Sequence, residues 1–143
     1  MKKITNYIKV NDNISTSGQP SKKEFKKIAK EGFDVVINLA MHNKGALKEE
    51  DKIVSKNGML YIYIPIEWKK PQKSRILLFL KLLKQLEDEN KRIWIHCIKN
   101  YRVSVCMHLY KKFVWQKSDL KFVAPKDYKP NKIWQRVLDM EIL

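Results

Sequence analysis

The chain has little of several things that would otherwise classify it. Two cysteines, Cys97 and Cys106, in 143 residues make no disulfide framework, and their separation is not that of a zinc knuckle. The three histidines, His42, His96 and His108, share no metal-ligand spacing and no His-Glu-x-x-His run occurs, so no metal is expected. Only four glycines are present, all isolated, which excludes a glycine-rich nucleotide loop; no cofactor is expected. The five prolines are dispersed, so no proline-rich linker divides the chain, and no repeat or low-complexity segment is visible. No stretch approaches the roughly eighteen apolar residues that cross a bilayer. Met1 to Tyr7 carries basic residues with no apolar run behind them, so no leader or transmembrane segment is expected and the cytoplasm is the expected location.

Acidic residues are also scarce: 15 against 30 lysines and arginines, a net charge of +15. Such an excess favours anionic partners, whether phosphorylated ligands, nucleic acid or acidic membrane surfaces, without choosing among them. The lysines fall in short pairs (Lys2-Lys3, Lys22-Lys23, Lys26-Lys27, Lys69-Lys70, Lys111-Lys112), the pattern of a solvated basic surface rather than one polyanion site. A hydrophobic content of 44% suits one core, so residues 1–143 are read as a single domain. No feature of the sequence sets an oligomeric state.

Tyr7–Val10 and Ile14–Ser17 are expected to pair across Asn11-Asp12-Asn13. A helix is expected over Ser21–Lys30 with Phe25, Ile28 and Ala29 on its apolar face, then a strand over Val35–Leu39, a helix over Leu47–Lys56 and a strand over Leu60–Ile66. After Pro71-Gln72-Lys73-Ser74, the spacing of Ile76, Leu77, Phe79, Leu80, Leu83 and Leu86 predicts a long helix. Ile93-Trp94-Ile95 is a short apolar run, as in a strand covered on both faces, and Val103–Trp115 reads as a helix. Strands alternating with helices predict an α/β fold: a mostly parallel central sheet flanked by helices on both faces. Residues 118–143 are expected to add a C-terminal helical extension, with Ile133, Trp134, Val137 and Leu138 docking on the body or, if exposed, marking a partner surface. Tyr110, Trp115, Tyr128 and Trp134 fit either helix packing or base stacking.

Chemistry concentrates where the run Ile93–His96 delivers Cys97 into a loop at a helix N-terminus. Unpaired N–H groups in a first helical turn, together with the helix dipole, make a place for a dianion such as phosphate. They also favour a cysteine thiolate, which is the nucleophilic form, and a neighbouring Arg adds to this. A buried, inert thiol is the alternative.

His96-Cys97 followed by Arg102 and Ser104 resembles the signature loop of the cysteine-dependent protein phosphatases. That family has five residues between Cys and Arg; here four, Ile98 to Tyr101, intervene, and Val103 stands where the family has its Arg. Asn100 takes the place of the family's first glycine, as a residue that tolerates left-handed backbone. Ser17-Gly18-Gln19-Pro20-Ser21, Gly32 to Leu39, and Gly58 to Ile66 are similar to segments of a bacterial subgroup of small dual-specificity-like phosphatases, so the resemblance extends to about Trp115. It implies hydrolysis of phosphate monoesters, on a protein or a small molecule, through a phosphocysteine intermediate. Cys97 is then the nucleophile, Arg102 the fork on two phosphate oxygens, and His96 orients the loop. Ile98, Lys99, Asn100, Tyr101 and Val103 contribute its backbone. Ser104 aids breakdown of the intermediate or serves only as a helix N-terminal hydroxyl. The family places an Asp about thirty residues before the cysteine as general acid; Glu67 stands thirty positions before Cys97, between a strand end and Pro71. Trp68 either covers the pocket or packs.

The shortened loop has two readings: it is drawn tighter so that Arg102 still reaches phosphate, or the guanidinium points elsewhere. Either departure, in Arg or in Glu for Asp, predicts weak activity. Two other classes compete: a non-catalytic phospholigand-binding module, and a basic nucleic-acid or membrane-surface binder that ignores Cys97. The sequence does not select among phosphotyrosine, phosphoserine, phosphoinositide and nucleotide phosphate.

Overall fold

β-branched and aromatic residues at alternating positions give each central strand two apolar faces, and the helices are placed by the need to cover both. The computed structural model describes residue 1 and residues 3–142. In chain order the elements are β1 (Ile8–Lys9), β2 (Ile14–Ser17), α1 (Lys22–Lys30), β3 (Val35–Asn38), α2 (Glu50–Lys56), β4 (Leu60–Tyr63), α3 (Lys73–Asp88), β5 (Ile93–His96), α4 (Tyr101–Phe113) and α5 (Lys132–Leu138). The sheet order is β1-β2-β5-β3-β4. β1 pairs antiparallel with β2 and every other pairing is parallel, Ile14 and Val35 both lying opposite Ile93. This is the mostly parallel α/β sheet expected from the alternation of elements.

Alternation sorts the core into two layers. Val35, Ile37, Ile93 and Ile95 face one side and pack with Ile76, Phe79, Leu80 and Leu83 of α3, Val105 and Leu109 of α4, and Trp134 and Val137 of α5. Val36 and Trp94 face the other side and pack with Phe25 and Ile28 of α1 and Val54 of α2. β5 is buried at every position, so Cys97 leaves the sheet from its most enclosed strand. Ser21 caps α1 and forms a capping box with Glu24, which fixes where that helix starts.

Several boundaries differ from the sequence reading, three of them for a visible reason. α2 begins at Glu50, not Leu47, because Glu49 is left-handed at φ 58° and the Leu47 N–H donates to Gln19 Oε1 at 3.3 Å. β4 ends at Tyr63, although the N–H groups of Ile64 and Ile66 still donate to Asn38 and Leu39 carbonyls at 3.0 Å each. α4 begins at Tyr101, two residues before Val103, because Asn100 adopts φ 64° and turns the chain into the helix at once. Trp134 and Tyr110 are wholly buried, so both serve packing and neither is available for base stacking. Among the described residues no helix is long and apolar enough to cross a membrane.

Tyr110 donates to Glu87, which also accepts from Trp115 Nε1 at 2.8 Å, joining α3 to the end of α4. Burial, and after it the Glu87 carboxylate, raise the Tyr110 phenol far above its ordinary 10.0. The native state then keeps a proton that the unfolded chain loses, so this contribution is complete below about pH 10 and lost as pH rises further. Urea unfolding should give a free energy that declines above about pH 10, and Tyr110→Phe should reduce that decline.

Candidate active site

The loop after β5 is shaped by what holds its carbonyls. The carbonyl of Cys97 faces His96 Nδ1 at 3.0 Å, that of Ile98 accepts from the Gln19 N–H at 2.9 Å, and that of Lys99 accepts from Asn6 Nδ2 at 2.9 Å. With the carbonyls tied outward, the N–H groups from Ile98 to Val103 have no acceptor among the described residues. A row of unpaired donors at the N-terminus of the thirteen-residue α4 is an oxyanion cradle.

Gly18 makes this approach feasible: a Cβ there would sit 2.5 Å from the Ile98 carbonyl oxygen. Asn100 is fully buried, and its side chain donates to the Asn6 carbonyl at 2.8 Å and to Thr16 Oγ1 at 3.0 Å. That anchoring offsets its left-handed backbone, a conformation Asn enters more readily than most residues.

Beneath the loop lies a buried polar chain. His96 Nε2 meets Glu50 Oε2 at 2.6 Å, both side chains being essentially inaccessible, and Glu50 Oε1 accepts from Gln19 Nε2 at 2.6 Å. A carbonyl oxygen can only accept, so His96 Nδ1 carries a proton toward Cys97 O. The second proton of the pair lies between His96 Nε2 and Glu50.

A cavity of about 390 Å³ opens above the loop, lined by Asn43, Lys44, Trp68, Cys97, Ile98, Lys99, Tyr101 and Arg102. Among the described residues no carboxylate lines it, and Lys44, Lys99 and Arg102 give it a positive field. Arg102 sits in the first turn of α4, almost wholly buried, with one guanidinium N–H donated to the Ile66 carbonyl at 2.9 Å and its face toward Trp68. The early start of α4 takes up the missing loop residue, and the rest of the guanidinium fork stays available at the cavity wall beside Cys97. This arrangement can hold a tetrahedral oxyanion against a sulfur nucleophile.

The family model of a polymorphic toxin system DSP-PTPase phosphatase, Tc-R-P, matches residues 13–110. The chain belongs to this family. It is a cysteine phosphatase by family and by fold. A "Putative phosphatase (DUF442)" from Shewanella putrefaciens CN-32, 29% identical, superposes with a TM-score of 0.87 over 96% of this chain and 91% of its own. Tk-PTP in its active form is 17% identical, with a TM-score of 0.78 over 94% of each chain. The core catalytic domain of the PP-IP phosphatase SIW14 from S. cerevisiae, in complex with citrate, is 14% identical, with a TM-score of 0.68 over 96% of this chain and 85% of its own. The last two speak for the fold alone. No curated protein matches significantly.

Within this phosphatase the expected site residues divide. Cys97, Ile98, Lys99, Tyr101 and Arg102 line one cavity, with His96 directly beneath it. The Val103 side chain is fully buried in the core, which is what a valine in the first turn of a packed helix is drawn to do, so Val103 offers the loop only its N–H. The Ser104 hydroxyl donates to the Asn100 carbonyl at 2.5 Å, a bond back along the helix that engages it away from Cys97. Asn100 supports the loop from behind. Glu67 is half-buried between Ile66, which holds Arg102, and Trp68, but does not line the cavity; its N–H donates to Gln72 Oε1 at 3.1 Å. Trp68 does line it, stacked on Trp134, whose Nε1 donates to the Trp68 carbonyl at 2.9 Å.

Sequence reading missed Glu50, Asn43 and Lys44. Glu50 lies in the run Glu49-Glu50-Asp51, where nothing local separates the buried acid from its exposed neighbours. Asn43 and Lys44 lie in a loop that reads as merely polar. Gln19 falls in the segment noted for its resemblance, and its role is visible only in the fold.

Exchanging Arg102 and Val103 tests which arrangement the loop requires. The swap sends a guanidinium into the packed core and leaves a valine at the cavity wall. The expected result is a loss of about 3 kcal/mol or more in urea unfolding, together with lost hydrolysis of an aryl phosphate. A stable swap variant with raised turnover would mean that the natural Arg102 misses the phosphate.

Proposed function

We propose that the chain hydrolyses phosphate monoesters by in-line attack of the Cys97 thiolate on phosphorus. The sulfur–phosphorus bond forms as the ester oxygen leaves, giving a phosphocysteine. Water then attacks that phosphorus, releasing inorganic phosphate and restoring the thiolate. The observation that carries this reading is the row of unpaired N–H groups from Ile98 to Val103 wrapped around Cys97. Preorganised donors aimed at equatorial oxygens stabilise charge where the transition state needs it and require no reorganisation during the reaction. Arg102 adds the charged fork. His96, held by Glu50, orients the Cys97 carbonyl and hence the loop.

The proton half of the reaction is less developed. Among the described residues no carboxylate lines the cavity, Glu67 included. General acid catalysis is worth roughly two to four orders of magnitude in rate, so esters with poor leaving groups should turn over very slowly. Lys44, Lys99 and Arg102 favour a substrate with negative charge beyond the phosphate itself, on either a small molecule or a protein. The phosphatase unit is taken as residues 1–143, with 118–143 as its extension.

The test is a rate series. An activated aryl phosphate should be hydrolysed measurably. Cys97→Ser should abolish turnover, Arg102→Ala should lower it by about a hundredfold or more, and Glu67→Gln should cost about threefold or less with that leaving group. Simple alkyl phosphates should react orders of magnitude more slowly. Unchanged turnover in Cys97→Ser would end the phosphocysteine reading.

A further inference from the structure

Residues 3–7 lie outside 13–110, the span shared with the family, yet they bond directly to the loop that carries Cys97. The segment is itself anchored at two points. Ile4 is buried in the core layer that holds Phe25 and Trp94, and the Tyr7 ring stacks on Trp94 with centroids 5.5 Å apart and planes 19° from parallel. Between these anchors the chain turns tightly: the Tyr7 N–H donates to the Ile4 carbonyl at 3.1 Å, and Asn6 is left-handed at φ 52°. The turn presents Asn6 to the loop. Its Nδ2 donates to the Lys99 carbonyl at 2.9 Å, and its own carbonyl accepts from Asn100 Nδ2 at 2.8 Å. Next to it, the Thr5 carbonyl accepts from the Gly18 N–H at 2.7 Å.

The bond to Lys99 bears on chemistry through one peptide unit. The Lys99 carbonyl and the Asn100 N–H belong to the same planar trans amide, so they point in opposite directions. Holding the carbonyl outward turns the N–H inward, between Lys99 and Tyr101, which both line the cavity. That N–H has no acceptor among the described residues. The same geometry holds for the two preceding donors: Gln19 fixes the Lys99 N–H by bonding the Ile98 carbonyl, and His96 fixes the Ile98 N–H by bonding the Cys97 carbonyl. Gln19 and His96 lie within the family span, whereas Asn6 does not. A tether is most needed at Asn100. Its φ of 64° is unfavourable for an L residue, and rotation of the Lys99–Asn100 peptide toward an ordinary φ would relieve this while swinging a carbonyl into the cavity.

We propose that Asn6 is a positioning residue of the active site: by holding the Lys99 carbonyl it aims the Asn100 N–H at the phosphate. The proposal rests on the reading of the loop as a phosphate cradle. Asn6 does not line the cavity and acts only through Lys99 and Asn100. A donor fixed in advance needs no reorganisation when the phosphate arrives, and it gains strength as charge builds on the equatorial oxygens.

Asn6→Gly removes the tether alone, since glycine keeps the left-handed turn and the carbonyl that accepts from Asn100. Inorganic phosphate should protect Cys97 of the natural protein from iodoacetate, followed by mass spectrometry without any turnover. In Asn6→Gly the phosphate concentration for half protection should rise about tenfold, the size of one hydrogen bond to a charged group. The kcat/KM for an aryl phosphate should fall further, by about a hundredfold, because the donor matters most in the transition state. Asp34→Ala is the control for stability alone. It loses the bond that Asp34 Oδ2 accepts from the Arg92 N–H at 2.8 Å, at the opposite end of the sheet, and should leave half protection within about twofold. An unmoved half-protection concentration in Asn6→Gly, or an equal rise in the control, overturns the proposal. A natural protein that phosphate fails to protect overturns the phosphatase reading itself and this proposal with it, a failure seen before any variant is made. Should Asn6→Gly not fold, crystals of the natural protein with phosphate bound decide. An Asn100 N–H donating to a phosphate oxygen, with the Lys99 carbonyl still on Asn6, supports the proposal. An Asn100 N–H turned from the phosphate, or a bound phosphate with Lys99 released from Asn6, overturns it.

Discussion

The contact between Glu50 and His96 is the constraint on which the site depends. Two groups that would each be costly to bury alone are buried together, 2.6 Å apart, and share the protons that let His96 also face the Cys97 carbonyl. Removing one partner of such a pair leaves an uncompensated buried charge, a loss of about 3–5 kcal/mol in comparable cases. The pair therefore specifies a geometry more than it adds stability. Gln19 extends it by donating to Glu50 through its side chain and to Ile98 through its backbone. The loop is thus held from the helix α2 side and from the β2–α1 connection at once. Only with its carbonyls so held can its N–H groups remain free to face a ligand.

This explains why some of the site was legible in the sequence and some was not. The placing of Cys97 in a loop at a helix N-terminus could be read because its context is local: an apolar strand, a cysteine and a helix are consecutive, and adjacency in sequence is adjacency in space. Glu50 could not, since its partner is 46 positions away in the chain and its neighbours are ordinary surface acids. The sheet and its two covered faces followed from the period-two alternation of Val35–Ile37 and Ile93–Ile95. The ends of elements did not, because three of the shifts turn on single backbone choices or on pairing that fades at an edge. Glu49 and Asn100 adopt left-handed conformations that no side-chain periodicity encodes.

Arg102 shows how such a choice places a side chain. Counted along the sequence it is one place out of register with the related phosphatases. Counted along α4 it lies in the first turn, where its side chain reaches back past the helix start to the cavity and to Ile66. Asn100 supplies the turn that a longer loop would otherwise supply, and Val103 is released to the core. Spacing within a motif measures residues, whereas a phosphate responds to directions. A left-handed residue changes directions without changing the count.

The C-terminal extension enters the same logic from the opposite wall. Trp134 is wholly buried, yet its indole N–H reaches the Trp68 carbonyl, so the helix that closes one layer of the core also fixes an aromatic residue of the cavity. Tyr128 does the same for Tyr101 by stacking. Two of the cavity's walls are therefore braced by residues beyond the family-matched span, while Glu67, next to Trp68 in the chain, is not in the lining. A loop pinned at Trp68 and tied again through Ile66 to Arg102 has little freedom to swing a carboxylate over the phosphate. The contacts that fix the loop and Arg102 also hold the Ile66–Trp68 segment, and Glu67 is not in the cavity lining. On this architecture the leaving group, more than the phosphate, decides which esters are hydrolysed.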